Sequence, residues 1–288
     1  MALVINSAAT VATGMSPIVD SALAADSVFI DGVSYSSEHD IGNAGQIQVV
    51  VDSLTTVEPG VPGANFSDNE YANTVVDVNI NNSFKESDKV PSYFENTMPV
   101  DLLMQKTLHV AESIRVGRQK TILAAVVKSL TAASDTVAVD ASNVKAKVLA
   151  ARTALRKAHA NPNVIIASVD VYSAMLTVAG SEYTPARNDE VVREGRIGYW
   201  MGILWIECSL LDGSSSYKWI DGSGETQTVD CSKVEFIMYQ ANKLAVIDRL
   251  DGLRVKESEK FFGSLVQGEV VAGIKVKNAN AFFLKKKA

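Results

Sequence analysis

Residues 194–213, EGRIGYWMGILWIECSLLDG, form the most apolar stretch of this 288-residue chain and one of its most glycine-punctuated. Between Arg196 and Asp212 the only ionised side chain is that of Glu207. The apolar part is shorter than the roughly 20 residues that a helix needs to cross a bilayer. It also holds no obvious nucleophile, general base or cluster of metal ligands. Its composition therefore indicates a structural role.

Three glycines in this stretch are assigned that structural role: Gly195, Gly198 and Gly202. Glycine adopts backbone conformations that other residues avoid, and it allows neighbouring atoms to approach closely. We expect the chain to turn and pack closely here as it enters a buried strand. The side chains expected to fill the core from this strand are those of Ile203, Trp205 and Cys208.

The overall composition is that of a folded globular protein, with 47% apolar and 21% charged residues. A net charge of −6 and a pI near 5.2 argue against a dedicated nucleic-acid-binding protein, which is usually basic. The two cysteines do not form a disulfide framework and are expected to be buried free thiols. We expect neither a membrane span nor a secretory signal, because no apolar run is long enough and the N-terminus lacks positive charge.

The charge is distributed very unevenly along the chain. Residues 1–84 contain ten acidic residues and no Lys or Arg. Subtracting −10 from the total of −6 leaves +4 for residues 85–288. This asymmetry indicates that the acidic segment docks on a complementary surface of the same chain or of another. A merely soluble acidic arm explains the pattern equally well.

The first clear secondary structure is a predicted β-hairpin. Residues 46–51, QIQVVV, read as one strand, and residues 73–84, NTVVDVNINNSF, alternate apolar and polar side chains as a second strand does. The segment between them is rich in turn-forming residues. Because an isolated two-stranded hairpin is only marginally stable in water, something outside this hairpin must support it.

Two helices are predicted next. The first covers about residues 98–131, with a buried stripe of Leu103, Val110, Ile114 and Thr121. The second lies within residues 140–163.

The second predicted helix is amphipathic, with an apolar face and a basic face. Its apolar face is formed by Val144, Val148, Ala151, Leu155 and Ala158. Its basic face is formed by Lys145, Arg152, Arg156 and Lys157.

The rest of the chain mixes short strands and helices without a regular βαβ repeat, which predicts the α+β class. Residues 163–169, NVIIASV, read as a buried strand, residues 170–180 as a short helix, and residues 199–211 as a further strand.

No motif for catalysis or metal binding is recognised. The chain contains no phosphate-binding loop and no nucleophile elbow, and its three histidines do not lie at metal-ligand spacing. We therefore assign no catalytic, cofactor-binding or metal-binding residue and expect a protein that is not an enzyme. The basic helix and the tail Lys285–Lys287 leave nonspecific contact with a nucleic-acid backbone open, but no aromatic residues are interleaved for base stacking.

The order of these parts resembles the major capsid protein of tailed bacteriophages, which has the Hong Kong 97-type fold. The resemblance rests on an acidic arm, a projecting hairpin, a long helix, a second helix, a mixed lobe and returning strands. Its most specific parts are the pattern G-x-I-G-x-x-x-G of residues 195–202 and the pattern G-x-V-x-A-G-I-K-V of residues 268–276.

This resemblance implies a division of the chain into five segments. They are an N-terminal arm (1–40), an extended loop formed by the hairpin (41–84), a peripheral domain with a long spine helix (85–162), an axial domain (163–245) and a return to the peripheral domain (246–288). It implies self-assembly into hexamers and pentamers of an icosahedral shell around double-stranded DNA, in a virion built in the host cytoplasm. Scaffold and portal proteins are implied as partners. An encapsulin-like shell that packages enzymes is the alternative.

The charge pattern adds candidate contacts between subunits. The residues expected to make them are Asp52, Glu58, Asp68 and Glu70 in the loop and Lys145, Arg152, Arg156 and Lys157 on the second helix. Whether the basic helix faces DNA or a neighbour's acidic segment stays open at this point. Some members of the family form a covalent crosslink through a lysine on the loop, but the first lysine here is Lys85. We predict a shell without that bond, so denaturing gels of particles should show no ladder of covalent multimers.

Overall fold

A computed structural model describes residues 46–51, 74–93, 102–182, 197–211 and 216–288. The predicted N-terminal arm, most of the extended loop and the beginning of the predicted long helix lie outside these residues. Gly195 and the acidic residues Asp52, Glu58, Asp68 and Glu70 also lie outside them.

The described residues form eleven strands and three α-helices, which confirms the mixed α+β class. The strands are β1 (Gln46–Val51), β2 (Thr74–Pro91), β3 (Val164–Ala167), β4 (Tyr199–Trp200), β5 (Ile203–Glu207), β6 (Ser216–Ile220), β7 (Thr226–Asp230), β8 (Val234–Tyr239), β9 (Leu244–Glu257), β10 (Gly263–Val276) and β11 (Phe282–Lys286). The helices are α1 (Leu102–Ser129), α2 (Val144–Lys157) and α3 (Val169–Glu182).

A five-stranded sheet forms the centre of the main core. Its strand order is β11-β8-β3-β5-β4, with β3 parallel to β5 and antiparallel to β8. Every residue of β3 and β8 is buried, as expected for strands covered on both faces. The helix α2 packs on this sheet through Val144, Val148, Ala151 and Leu155, four of the five residues predicted for its apolar face. The fifth, Ala158, is exposed because the helix ends there and the chain turns away.

A second sheet has four strands in the order β1-β2-β10-β9. The helix α1 lies on one face of it, where Val110 and Ile114 pack with Val266 and Val270. Gly268 allows this close packing, since a Cβ at that position would meet both Ile114 Cδ1 and Val110 Cγ1 at 2.9 Å. We call this sheet with its helix the sheet region, and the five-stranded sheet with its helices the lobe.

The long helix α1 belongs to both parts of the molecule. In its first half only one stripe is buried, as predicted. In its second half all residues from 121 to 127 are buried, including Thr121. The predicted one-sided stripe was therefore wrong for this half, because the hairpin of β6 and β7 covers the helix on a side that the sequence pattern left exposed.

The apolar stretch that opened the sequence analysis is not a single strand. It forms β4, a turn at Met201 and Gly202, β5, and a 3₁₀ turn over residues 209–211. Gly198 and Gly202 have φ angles of +62° and +77°, which favour glycine. A Cβ at either position would meet no atom within 4 Å, so the expected close packing was wrong. Glycine is favoured here because of the backbone conformation alone. Ile203, Trp205 and Cys208 are buried.

The predicted segment boundaries do not coincide with the edges of these two parts. Position 84 lies inside β2, and position 245 lies inside β9. Helix α2, placed in segment 85–162, packs on the five-stranded sheet, and β11, placed in segment 246–288, is its edge strand. The five-part division therefore stays a proposal.

Candidate functional site

The described residues offer no group of three or more His, Cys, Asp or Glu side chains placed to hold a metal ion. None of the described helices is long and apolar enough to cross a membrane. The features that stand out are surfaces and junctions: the base of a projecting hairpin, a basic helix face and an apolar tip.

The base of the projecting hairpin lies where β2 changes partner. Residues 74–79 of β2 pair with β1, whereas Ile80 and residues 82–91 pair with β10. On β2, three asparagines at this junction reach across to the backbone of the β6–β7 hairpin: Asn79, Asn81 and Asn82. From the sequence, this segment is predicted only as a strand. The run N-I-N-N, unusual in a strand because asparagine has low β-propensity, was the available signal.

The basic face of α2 is organised as a stripe. At 100° per residue, Lys145, Arg152 and Arg156 fall within about 40° of each other, while Lys157 lies on an adjacent face. The side chains of Lys145, Arg156 and Lys157 are exposed, and that of Arg152 is half-buried. The structure therefore brings together the four predicted basic residues on one helix. Their predicted acidic partners lie outside the described residues.

A lysine that was grouped with the basic tail is directed inward instead. The side chain of Lys285 is only 2% exposed, and its Nζ lies 3.4 Å from Asp135 Oδ1. It also donates a hydrogen bond to the backbone oxygen of Asp135. The same carboxylate pairs with Lys147 on α2. Hydrogen bonds from Lys147 and from the Val137 amide lower the pKa of Asp135 to about 2.

This inward position follows from the register of β11. Lys285 is paired with Phe236 of the fully buried strand β8, so both side chains lie on the same face of the sheet. Lys285 is therefore not available for the nonspecific contact with a nucleic-acid backbone that the sequence left open for this tail. Lys287 is exposed.

An apolar tip lies at the far end of the sheet region. Phe262 is 95% exposed in the turn between β9 and β10, and Tyr93 is 73% exposed nearby. The Ser92 amide donates to the Phe262 carbonyl at 3.1 Å, which joins the two segments. Lys89 Nζ lies 5.8 Å from the centroid of the adjacent Phe261 ring, which is a cation–π arrangement.

On the exposed face of the same sheet, polar residues bond across the strands. Lys85 and Ser83 both bond to the carboxylate of Glu269, at 2.9 and 2.8 Å, and these contacts lower its pKa. On the edge near α1, Asp88 Oδ2 accepts from Lys106 and lies 2.9 Å from His109 Nδ1. These contacts join α1 to β2.

The comparisons with known proteins identify the fold. No model of a known protein family matches the sequence, and no curated protein matches it. Among solved structures, one from Mycobacterium phage Che8 is similar with a TM-score of 0.66 and 17% identity, over 90% of each chain. The capsid structure of the cyanophage P-SCSP1u has a TM-score of 0.66 and 10% identity, over 91% of this chain and 89% of that one.

A virus-like particle from Pyrococcus furiosus is also similar, with a TM-score of 0.61 and 13% identity, over 95% of this chain and 98% of that one. At these identities the likeness is one of fold. The chain has the fold of phage capsid proteins, as the resemblance in the sequence implied.

Proposed function

We propose that this chain is the major capsid protein of a tailed bacteriophage, assembling into hexamers and pentamers of an icosahedral shell that encloses double-stranded DNA. The observation that carries the proposal is the fold. Similarity to phage capsid structures extends over about 90% of both chains, so it includes nearly the whole molecule and not one common substructure. In this proposal the protein is structural and has no enzymatic activity. It belongs to the virion, is assembled in the host cytoplasm, and has scaffold and portal proteins as partners.

The arrangement of the described residues supports this proposal physically. The β1–β2 hairpin projects from a junction at which only β2 continues into the rest of the sheet. Two-stranded hairpins are marginal in water, and a neighbouring copy would add to the support that this hairpin receives at its base from Ala245 and Ile247 of β9. The exposed Phe262 and Tyr93 at the opposite end of the sheet region are apolar groups that a second contact would bury.

Expression of the full chain, followed by sedimentation and negative-stain microscopy, tests the proposal. We expect closed shells, rings or tubes built from a repeating capsomer. A uniform small monomer at high protein concentration would contradict it. The variant Phe262→Ser, whose substituted side chain contacts solvent, should stay folded and assemble less well if the tip is part of an interface.

Contacts between opposite charges are proposed to connect neighbouring subunits. The basic face of α2 would bind the acidic loop segment that carries Asp52, Glu58, Asp68 and Glu70. Exposed ion pairs contribute about 0–1 kcal/mol each, so they matter through repetition around a closed shell. The alternative partner of the basic face is the packaged DNA.

Charge reversal separates these two partners. The variant Arg152→Glu/Arg156→Glu should lose assembly in the absence of DNA if the basic face binds a neighbour. If it binds DNA, empty shells should form normally and DNA content alone should fall. Lys218→Glu/Lys275→Glu, at two exposed lysines elsewhere, makes the same change in net charge and serves as the matched control.

A second candidate function is an encapsulin-like compartment shell that packages enzyme cargo. It rests on the similarity to the Pyrococcus furiosus virus-like particle, which covers 98% of that chain, and it has less support than the capsid function, because most of the similar structures are phage capsids. Shells purified from the natural source decide between the two functions. Double-stranded DNA inside them supports the capsid, whereas an enzyme in place of a genome supports the compartment.

A further inference from the structure

The junction between the projecting hairpin and the rest of the molecule depends on one continuous strand. Residues 74–79 of β2 pair with β1, and pairing with β10 begins at Ile80, so no residue of β2 is recorded in both pairings. A hairpin connected in this way can change its angle without breaking either set of ladder hydrogen bonds. Something other than the sheet must therefore fix its direction.

An irregularity in β2 lies at this same place. Ala272 of β10 is paired with Asn82 and Gly273 with Ile80, so Asn81 is the extra residue of a β-bulge. A bulge bends its strand locally and increases the twist. Gly273 lies opposite it, and a Cβ there would crowd the backbone oxygen of Asn79 at 3.0 Å, so a larger residue would require the bulge to shift. The bulge places the bend between the hairpin and the sheet region.

Three asparagine side chains cross from the bend to the β6–β7 hairpin. Asn79 donates to the Gly222 carbonyl at 2.9 Å, and Asn81 donates to the Asp221 carbonyl. Asn82 donates to the Ile220 carbonyl at 3.3 Å and accepts from the Ile220 amide at 3.0 Å. We call these three residues and the backbone of residues 220–222 the asparagine clamp.

The clamp is anchored on the side of the lobe and of α1. Tyr217 of the β6–β7 hairpin is buried, its hydroxyl donates to the Leu210 carbonyl at 2.7 Å, and Lys120 of α1 lies over its ring. The turn at residues 221–225 has hydrogen bonds of its own, because Asp221 accepts from the amides of Ser223 and Glu225. The asparagines therefore bond to a hairpin that has its own contacts with the lobe and with α1.

The other contact at the junction is apolar. Val49 and Val78 of the hairpin pack with Ala245 and Ile247 of β9. Apolar burial is non-directional and tolerates a change of angle, whereas hydrogen bonds require distances and angles within narrow limits. Of the two kinds of contact between the hairpin and the rest of the molecule, only the hydrogen bonds are therefore directional.

We propose that the asparagine clamp is a positioning device that sets the direction in which the β1–β2 hairpin projects, and that its release lets the hairpin swing about the bulge at Asn81. Release exchanges the bonds of Asn79 and Asn81 for bonds to water at little net cost, because both side chains are half-buried. The buried Asn82 lies on the sheet side of the bulge, where it holds the β6–β7 hairpin in place for Asn79 and Asn81, and its removal leaves the amide and carbonyl of Ile220 without these partners.

Distances between two spin labels, measured by double electron–electron resonance, test the clamp in the full-length chain. One label is attached at Gln48 on β1 and the other at Ala154 on α2, both exposed. Labelled chain is mixed with an excess of unlabelled chain, so that only distances within one subunit are recorded. We expect one narrow distance distribution for the otherwise unchanged protein. In Asn79→Ala/Asn81→Ala and in Asn82→Ala the distribution should shift or broaden about twofold, as expected when a second population appears.

The matched control is Ser83→Ala/Ser87→Ala on the same strand. The two hydroxyls that this variant removes bond across the sheet, to Glu269 and Gln267, and not to the β6–β7 hairpin. The distance distribution should therefore not change. Hydrogen exchange gives an independent measurement. In Asn82→Ala the Ile220 amide should exchange about tenfold faster, whereas the amides of β3 should not change. If Asn82→Ala does not fold, the double asparagine variant still decides.

An unchanged distance distribution in a folded clamp variant would overturn the proposal. The consequence for assembly, that shells of clamp variants are less uniform in size, rests on the proposed function. The two proposals can fail separately. A clamp-dependent distance in a chain that forms no shell contradicts only the capsid function, and normal shells with a clamp-independent distance contradict only the clamp.

Discussion

The lobe and the sheet region are built from the same kinds of element but are stabilised differently. In the lobe, β3 and β8 are buried along their whole length within one large apolar core. In the sheet region the apolar contacts form two small clusters, one under α1 and one at the base of the hairpin. The difference indicates that the lobe supplies most of the stability. The sheet region presents surfaces whose positions depend on individual polar contacts.

Truncation of one buried side chain in each part is the strongest test of this difference in packing. In Ile166→Ala, at the centre of β3, we expect a loss of about 4 kcal/mol in the free energy of unfolding, because the fully packed lobe cannot close the cavity. In Val266→Ala, on β10 under α1, we expect about 2 kcal/mol, because fewer atoms are lost and the small cluster can relax. Urea unfolding measures both. Equal losses would show that the two parts are packed alike.

The packing of α1 on the sheet is tested by adding an atom. Gly268→Ala should destabilise the protein by about 2 kcal/mol, since the new methyl group meets Ile114 and Val110 at 2.9 Å. Adding Ile114→Val removes one of the two clashing atoms and should recover part of the loss. The control is Gly117→Ala in α1, where the nearest side-chain atom is 3.8 Å away, and helix propensity should make it stabilising by about 0.5–1 kcal/mol. Destabilisation by the control as large as that by Gly268→Ala would contradict this account.

The difference between the two parts also explains which features sequence alone could predict. The buried strand predicted at 163–169 follows from a continuous apolar run, whereas the apolar face of α2 and the hairpin of β1 and β2 follow from local periodicity, which specifies which face is covered. The all-round burial of α1 after Thr121 does not, because the β6–β7 hairpin that covers it lies about 100 residues further along the chain. The division of residues 199–211 into two strands depends on a turn at Met201, whose φ of +54° no propensity indicates.

The candidate site was predictable only in part, for a related reason. A basic helix face can be recognised from residue spacing, since all its members lie on one element. The asparagine clamp and the buried Lys285 depend on pairings between strands far apart in the sequence. A polar residue in such a pairing has the same local sequence whether it faces water, a backbone carbonyl or a carboxylate.

A smaller effect is expected from the acid titration of Asp135, which connects the lobe strand β11 to α2. The pKa of Asp135 is lowered from 3.8 to about 2 by its bonds to Lys147 and the Val137 amide. A group with a lowered folded-state pKa contributes stability that is present above the unfolded value and lost as the pH falls through the folded value. Asp135→Asn should therefore be less stable than the unchanged protein at pH 7, and the difference should shrink between about pH 4 and pH 2.

Urea unfolding at a series of pH values measures this convergence. Thr153→Ala serves as the control, because the hydroxyl that it removes is bonded to the backbone oxygen of Leu149 and not to a carboxylate, so its effect on stability should not depend on pH in this range. A difference between Asp135→Asn and the unchanged protein that stays constant down to pH 2 would mean that the ion pairs of Asp135 do not contribute.

The smallest effect is expected for the two native cysteines, which should not react with a thiol reagent while the protein is folded. Cys208 and Cys231 are both buried in the lobe as free thiols, and burial raises the pKa of Cys231 to about 11. Only the thiolate reacts readily with Ellman's reagent, so the folded protein should show almost no reaction at pH 8 until urea unfolds it. A cysteine introduced at Gln48 on the exposed surface of the projecting hairpin should react at once under the same conditions. Rapid reaction of the two native thiols without unfolding would mean that the lobe opens as easily as the sheet region, and the contrast between the two parts would then be one of shape and not of stability.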